Sequence, residues 1–276
     1  MNMKNTLLVL TALIVGSSSL FAQEVLNQNE TIEKSDFDSV YVMKRTMSLG
    51  LVGGYSLDFH SATDMKLPEV PSCCPGYSGG TGGGFILGLS FGLPLGDDLN
   101  LLTRLTYHGS GVTMTTSEPT TVRIDNEAVP TTITHELQPT VNFISLEPAV
   151  EFMLGDLGLV GGVRLGTLLG ATYDQREILA DNIPYDFAGG TGVRNETSGD
   201  ISGTSSFQFG LLLGARYHLP MNSDKTLELV PEIQFAPLFT SVLADQTWGV
   251  SSLRFMIGFD YHFTERSQTA TPLAPN

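Results

Sequence analysis

Beyond its N-terminus the sequence has no uninterrupted apolar run of the ~18 residues that a membrane-spanning helix needs. If the mature chain enters a membrane, it must do so as strands. Positive charge is also scarce: 14 Lys and Arg stand against 29 Asp and Glu, a formal charge of −15. Such a chain repels phosphate backbones, which argues against a nucleic-acid partner and against a basic binding face. Cysteine is confined to one adjacent pair, Cys73 and Cys74. A four-ligand zinc site needs more ligands close by and a dithiol redox motif needs a different spacing, so neither is expected there. What the chain has instead is 30 glycines and a hydrophobic content of 41%, ample for a folded unit and unlike a disordered chain.

The N-terminus reads as a secretory signal. Lys4 supplies a positive start, Thr6 to Gly16 an apolar stretch, and Ser17 to Ala22 a small-residue exit, so cleavage is expected after Ala22. The apolar stretch is too short to span a bilayer and no stop-transfer flank follows, which weakens the anchor reading. Residues 23–45 then form a polar periplasmic lead-in, 46–263 the folded unit, and 264–276 a short polar periplasmic tail.

From Thr46 onward apolar residues recur every second position. Leu49, Leu51, Tyr55, Leu57 and Phe59 share one parity, and Ser48, Gly50, Gly54, Ser56 and Asp58 the other. The pattern returns in 84–95, 99–108, 144–154, 163–174, 207–219, 227–235 and 253–263, which makes eight strands. A soluble sandwich and a membrane barrel both alternate in this way. The polar parity decides between them, because it holds many glycines, which suit a crowded interior better than a wet surface. Its few charges have both signs: Arg104, Arg164, Arg216 and Arg254 against Asp58, Glu147, Glu151, Glu228, Glu232 and Asp260. Such a set can neutralise itself inside a barrel, where a lone charge costs several kcal/mol. The apolar parity carries no charge in any segment. Connections alternate long and short, as outer loops alternate with tight periplasmic turns. The expected fold is therefore all-β: an eight-stranded antiparallel transmembrane β-barrel with long outer loops, short periplasmic turns, and both termini in the periplasm of a bacterial outer membrane.

Tyr55, Phe59, Tyr107 and Tyr173 fall near the predicted outer ends, and Tyr217, Tyr261 and Phe263 near the inner ones, as interfacial belts require. Pro148 and Pro231 sit inside strands, and a bulge or local distortion is expected at each. The alternation, the strands LEPAVEF and LVPEIQF, the last strand SLRFMIGFDYHF and the SLFAQ cleavage sequence resemble the small OmpA/OmpX-type barrels. The resemblance is closer to the PorT-like outer membrane protein beta-barrel domain proteins of Bacteroidota and relatives. It implies an integral outer-membrane barrel and, as one option, a part in protein secretion. Many such proteins carry a cell-wall-binding domain after the barrel, and with only a short polar tail here peptidoglycan tethering is not carried over.

No catalytic, cofactor or metal site is expected. His108, His218 and His262 have the inward parity, where hydrogen-bonded lumen residues outnumber general bases. No histidine has the lipid-facing parity that a lipid-deacylating barrel requires. Eight strands leave an interior that side chains can fill, so a plug of Arg–carboxylate pairs is expected rather than a channel, with Arg164 and Glu147 or Glu151 as the foremost pair. The acidic stretch 174–200 reads as solvated loop charge without EF-hand spacing. Residues 109–141 read as strands three and four continuing beyond the membrane into a hairpin, with an edge open to strand addition. The glycine run after Cys74 is not a phosphate loop, since a strand and no helix follows it. In an oxidising compartment Cys73 and Cys74 form a neighbour disulfide, link to another molecule or stay free; the disulfide, stiffening the first surface loop, is the expected state. Two functions follow: a non-enzymatic barrel serving envelope integrity or surface binding, or a narrow pore or accessory barrel in transport or secretion. The expected partners are outer-membrane lipid and, at the outer loops, an unidentified surface ligand or protein.

Overall fold

The computed structural model describes residues 32–34, 40–67, 76–180, 187 and 192–269. The signal sequence, Cys73, Cys74, and the tail beyond 269 lie outside the described residues. Eight strands close a ring: β1 (Val40–Met65), β2 (Tyr77–Pro94), β3 (Leu99–Val112), β4 (Glu127–Leu154), β5 (Leu157–Leu179), β6 (Gln208–Tyr217), β7 (Leu227–Pro237) and β8 (Trp248–Thr269). Each pairs antiparallel with its neighbour, and β8 pairs back onto β1, so the barrel has no free edge.

The period of two becomes an inside and an outside. Ser56, Asp58, Arg104, Glu147, Arg164 and Arg254 are buried inward, while Leu51 (62% exposed), Leu87 (57%) and Leu213 (59%) point out. Every strand contributes to this outer apolar face, including Leu105 of β3, Val150 of β4, Leu159 of β5, Ile233 of β7 and Phe259 of β8. An apolar band around a whole ring is stable only in hydrocarbon. Among the described residues no helix is long and apolar enough to cross a membrane.

One end of the barrel has tight turns, and the other is extended. After Thr113 the chain of β3 continues as a strand, Met114–Ile124, and turns back into β4 through Asp125 and Asn126. Both turn residues have positive φ (49° and 72°), the geometry of a type I′ hairpin that matches strand twist. On the far side of β4, β5 carries a return strand, Val193–Asp200. The expected hairpin is thus one half of a four-stranded sheet standing beyond the rim.

Several details differ from the sequence reading. The ring strands exceed 46–263: β1 begins at Val40, which pairs with Thr269 of β8, because the two terminal strands go on zipping past the turn end. The second strand begins before residue 84, at Tyr77, so the glycine run lies within β2. A Cβ on Gly82 or Gly84 would run into the carbonyls of Gly111 or Gly109, so the glycines let β2 and β3 approach closely. Pro148 and Pro231 cause no bulge. Register is unchanged across them, and only the ladder on one side is interrupted, between β4 and β5 at Pro148 and between β6 and β7 at Pro231. A proline lacks one donor, and losing it on one side does not require a shift.

The bulges occur elsewhere. Between Asn142 and Phe143 the register with β5 slips, leaving Leu169 as the extra residue. Parity reverses beyond it, so Tyr173 points inward, 5% exposed, and is not part of the outer aromatic belt. A second slip, between Phe263 and Thr264, leaves Thr46 extra and turns Arg45 inward.

The extension end of the barrel is filled by apolar side chains. The connection from β7 to β8 folds down into the mouth and buries Leu238, Val242, Leu243 and Trp248 against Met65, Tyr77, Met114, Leu137, Phe143 and Tyr173. Gln246 fastens this plug to the chain leaving the neighbouring strand β1, accepting from the Lys66 amide (2.9 Å) and donating to its carbonyl (2.6 Å). Trp248, wholly buried, donates from Nε1 to Nδ1 of His60 at 3.0 Å. It is the only tryptophan, so folded protein should show blue-shifted emission that iodide hardly quenches. Red-shifted, freely quenched emission would mean that the plug is not seated.

Candidate functional site

Below the plug the lumen is polar, and seven of the eight strands contribute charge to it. Glu147 and Glu151 come from one face of β4, Glu228 and Glu232 from β7, and Arg254 and Asp260 from β8; Asp58, Arg104, Arg164 and Arg216 come singly from β1, β3, β5 and β6. β2 supplies only Ser90, whose hydroxyl donates to Asp260 at 2.8 Å.

The partners lie across the lumen more often than along the sheet. Arg104 is in register beside Glu147 yet donates to Glu232 at 2.6 Å. Arg254 takes Glu147 at 2.8 Å. Arg216 gathers Asp260 (2.7 Å), Glu151 (3.1 Å) and Glu232 (3.4 Å). Arg164 is only loosely engaged with the carboxylate expected to hold it: Glu147 is 3.7 Å away and makes no hydrogen bond to it. Its Nε donates to Ser145 at 2.9 Å and its guanidinium lies 5.1 Å over the Phe143 ring, at the foot of the plug. Glu151 belongs to Arg216 and His218 and has no contact with Arg164.

The inward histidines join this network as hydrogen-bonded lumen residues, as their parity implies, and Arg45 and Ser56 add to the sequence-based set. At the turn end His218 bridges Glu228 (2.8 Å) and Glu151 (2.9 Å), His262 meets Glu228 at 2.9 Å, and Arg45 meets it at 2.6 Å. Since carboxylates only accept, an imidazole set between two of them is placed to donate from both nitrogens. Higher up, Ser56, Asp58 and His108 converge, with Ser56 Oγ 3.0 Å from Asp58 and 2.9 Å from His108. These are the residue types of a hydrolytic triad, but all three are fully buried beneath the plug, out of reach of any substrate. Arg45 was concealed by its place in the lead-in, and only the break in parity at Thr46 could have revealed it. Among the described residues no group of three or more His, Cys, Asp or Glu could hold a metal ion.

The extension has its own interior. Val122, Ile133, Leu179 and Phe187 form a small apolar cluster near its tip. Part of the acidic stretch 174–200 is strand; Asp174, Glu196 and Asp200 are exposed on it, whereas Arg176 pairs with Glu136 at 2.7 Å, and Glu177, turned inward by the Leu169 bulge, accepts from Arg194 (2.7 Å) and Asn195 (2.9 Å). Asp181 and Asp186 lie outside the described residues.

No family model matches this sequence, and no curated protein matches it. Among solved structures it is similar to Ail, the attachment invasion locus protein of Yersinia pestis, at 10% identity, covering 78% of this chain and 99% of that one with a TM-score of 0.34. It is likewise similar to Neisserial surface protein A (11% identity, 78% and 97% coverage, TM-score 0.33) and to the outer membrane protein AlkL in lipid bilayers (10%, 90% and 100%, 0.36). The likenesses are distant, and the functional reading rests on the geometry of this chain.

That geometry ranks the interior arginines. Arg254→Gln strands Glu147 in a dry lumen and should cost about 3–5 kcal/mol, read as a lower temperature at which the folded band converts on unboiled gels. Arg164→Gln should cost clearly less, since it removes no hydrogen-bonded carboxylate partner. Equal losses would show that the cross-lumen pairing is wrong.

Proposed function

We propose that the protein is a non-enzymatic integral barrel of the bacterial outer membrane, closed to solutes, that serves the envelope or binds partners at the cell surface through its extension. The observation that carries this reading is the double closure of the lumen. An apolar plug fills one mouth. At the turn end a cavity of about 300 Å³ enters the barrel and meets Glu151, Arg216, His218, Glu228 and Asp260, the residues of the ion-pair network. A barrel of eight strands has no room for a wide aqueous path beside such a network. Meanwhile four strands rise past the rim, more sheet than closure requires, and one edge of that sheet, Met114–Ile124, keeps an unbroken register with β4 and, among the described residues, has no strand paired on its far side above the rim. An open, regular edge suits strand addition by a partner.

The secretory start and the tight turns support an orientation with both termini in the periplasm and the extension outside. An epitope inserted between Asp125 and Asn126 should therefore be stained on intact cells, and staining only after permeabilisation would reverse the orientation. Closure is tested by planar-bilayer recording of the refolded protein, where silence is expected. Reproducible channel steps would overturn the plugged reading in favour of a narrow pore. A PorT-like accessory role in secretion would instead show as loss of exported proteins in a deletion strain whose barrel stays electrically silent.

A further inference from the structure

The open edge of the extension is the strand Met114–Ile124, and its central residue is Pro119. Register with β4 runs through it without a break, from Met114 beside Leu137 to Ile124 beside Glu127. A proline in a strand has no N–H to give, so its effect depends on which side of the strand lacks the donor. Pro119 lies opposite Thr132, whose carbonyl accepts the Ala180 amide, just past the end of β5, at 3.2 Å. In an antiparallel ladder, residues directly opposite each other either exchange both backbone bonds or neither. Thr132 is turned toward β5, so Pro119 is turned the other way, toward the free side. Ser117 and Thr134, opposite each other in the same phase, agree: their hydroxyls meet at 3.1 Å, the close side-chain approach of a pair without backbone bonds.

The hairpin therefore loses nothing to its proline, and the free edge does. Ser117, Thr121 and Arg123 share the phase of Pro119 and aim both N–H and carbonyl outward, while Pro119 offers a carbonyl alone. At the foot of the strand β2 stands close by, since a Cβ on Gly80 would run into the Thr113 carbonyl. The gap in the donor row falls farther out, in the accessible part of the edge.

We infer that Pro119 guards this edge against a second copy of the same chain and leaves it to a strand of another protein. The identity of that occupant rests on the surface-binding reading above; the exclusion of a copy does not. Two copies joined edge to edge, parallel or antiparallel, bring both prolines inside any register that overlaps most of the strand. Each proline removes a bond from the middle of the shared ladder and leaves the carbonyl it faces without a donor. A foreign strand meets one proline, and its own sequence can be fitted to that place. Charge works in the same direction, since a chain of formal charge −15 repels its copy, but salt screens that repulsion and leaves the missing donors in place. Copies in one membrane stand with their edges at the same height, the condition under which an unguarded edge pairs.

Sedimentation equilibrium of the refolded barrel in detergent, without any partner and in about 0.5 M salt to screen charge, tests the guard. The unaltered protein should stay monomeric. Pro119→Thr, which gives each copy its donor back, should associate at least about tenfold more tightly, the scale of two regained hydrogen bonds. Adding Thr121→Pro moves the proline to the next outward-facing position without touching the hairpin's own bonds, and should return the protein to monomer. Unheated gels and Trp248 emission check that each variant is folded, and Pro119→Val replaces the threonine variant should that one fold poorly. A Pro119→Thr barrel that associates no more tightly than the unaltered one would overturn the guard. So would association that survives Thr121→Pro, because the contact would then lie on another surface. Since the assay contains no partner, failure here leaves the surface-binding reading standing, and failure of that reading leaves the difference in self-association measurable.

Discussion

A ring of eight strands encloses a lumen too narrow to hydrate what points into it, and most of this structure follows from that constraint. Every inward polar side chain must find a protein partner, and a buried charge left alone costs more than the barrel can spare. Arginine meets the demand because its long, forked head reaches over the lumen to a carboxylate on a distant strand, as Arg104 reaches Glu232 and Arg254 reaches Glu147. The pairs thereby act as cross-braces between strands that share no ladder. Glycines and Ser90 on β2 provide the volume these braces occupy, so the uncharged strand is as much a part of the network as the charged ones.

The two ends of the lumen solve the same problem with different chemistry. At the extension end, Trp248 and the inward-folded connection before it replace ion pairs by apolar packing, with the few polar groups there hydrogen-bonded, as Trp248 Nε1 is to His60. Arg164 lies where the two regimes meet, its guanidinium over the Phe143 ring and its Nε on Ser145. At the turn end, imidazoles and Arg45 partner the carboxylates that line a cavity of about 300 Å³. Closure is therefore distributed over the length of the barrel, and opening a path would require moving a packed core and breaking ion pairs together.

Much of the architecture was legible in the sequence, because alternation records which side of each strand meets lipid and loop lengths record which end is tight. The glycine-rich, sign-balanced parity identified the lumen and its ten charged residues. What it could not record is who meets whom. Register places Arg164 beside Glu147, but an arginine is long enough to pass its cross-strand neighbour, and the choice depends on three-dimensional stagger that no spacing encodes. The plug was missed because its residues, Leu238, Val242 and Leu243, sit in a connection, where scattered apolar residues have no period to betray them. Bulges were missed for a related reason: prolines drew attention as suspects, whereas two of the slips occur at Leu169 and Thr46, residues without a conformational signature.

Those two slips do more than break a pattern. Below Leu169, β5 must present apolar residues outward to lipid; above it the same strand enters water, where the apolar side belongs on the inside. A single extra residue exchanges the faces, turning Ala171, Tyr173 and Leu179 inward and Asp174 and Arg176 outward at the level where the membrane ends. Without it the extension would bury its charges and expose its core. The inward exchange also carries Glu177 under the hydrogen bonds of Arg194 and Asn195, so the residue that adapts the strand to the membrane boundary also ties β5 to the return strand.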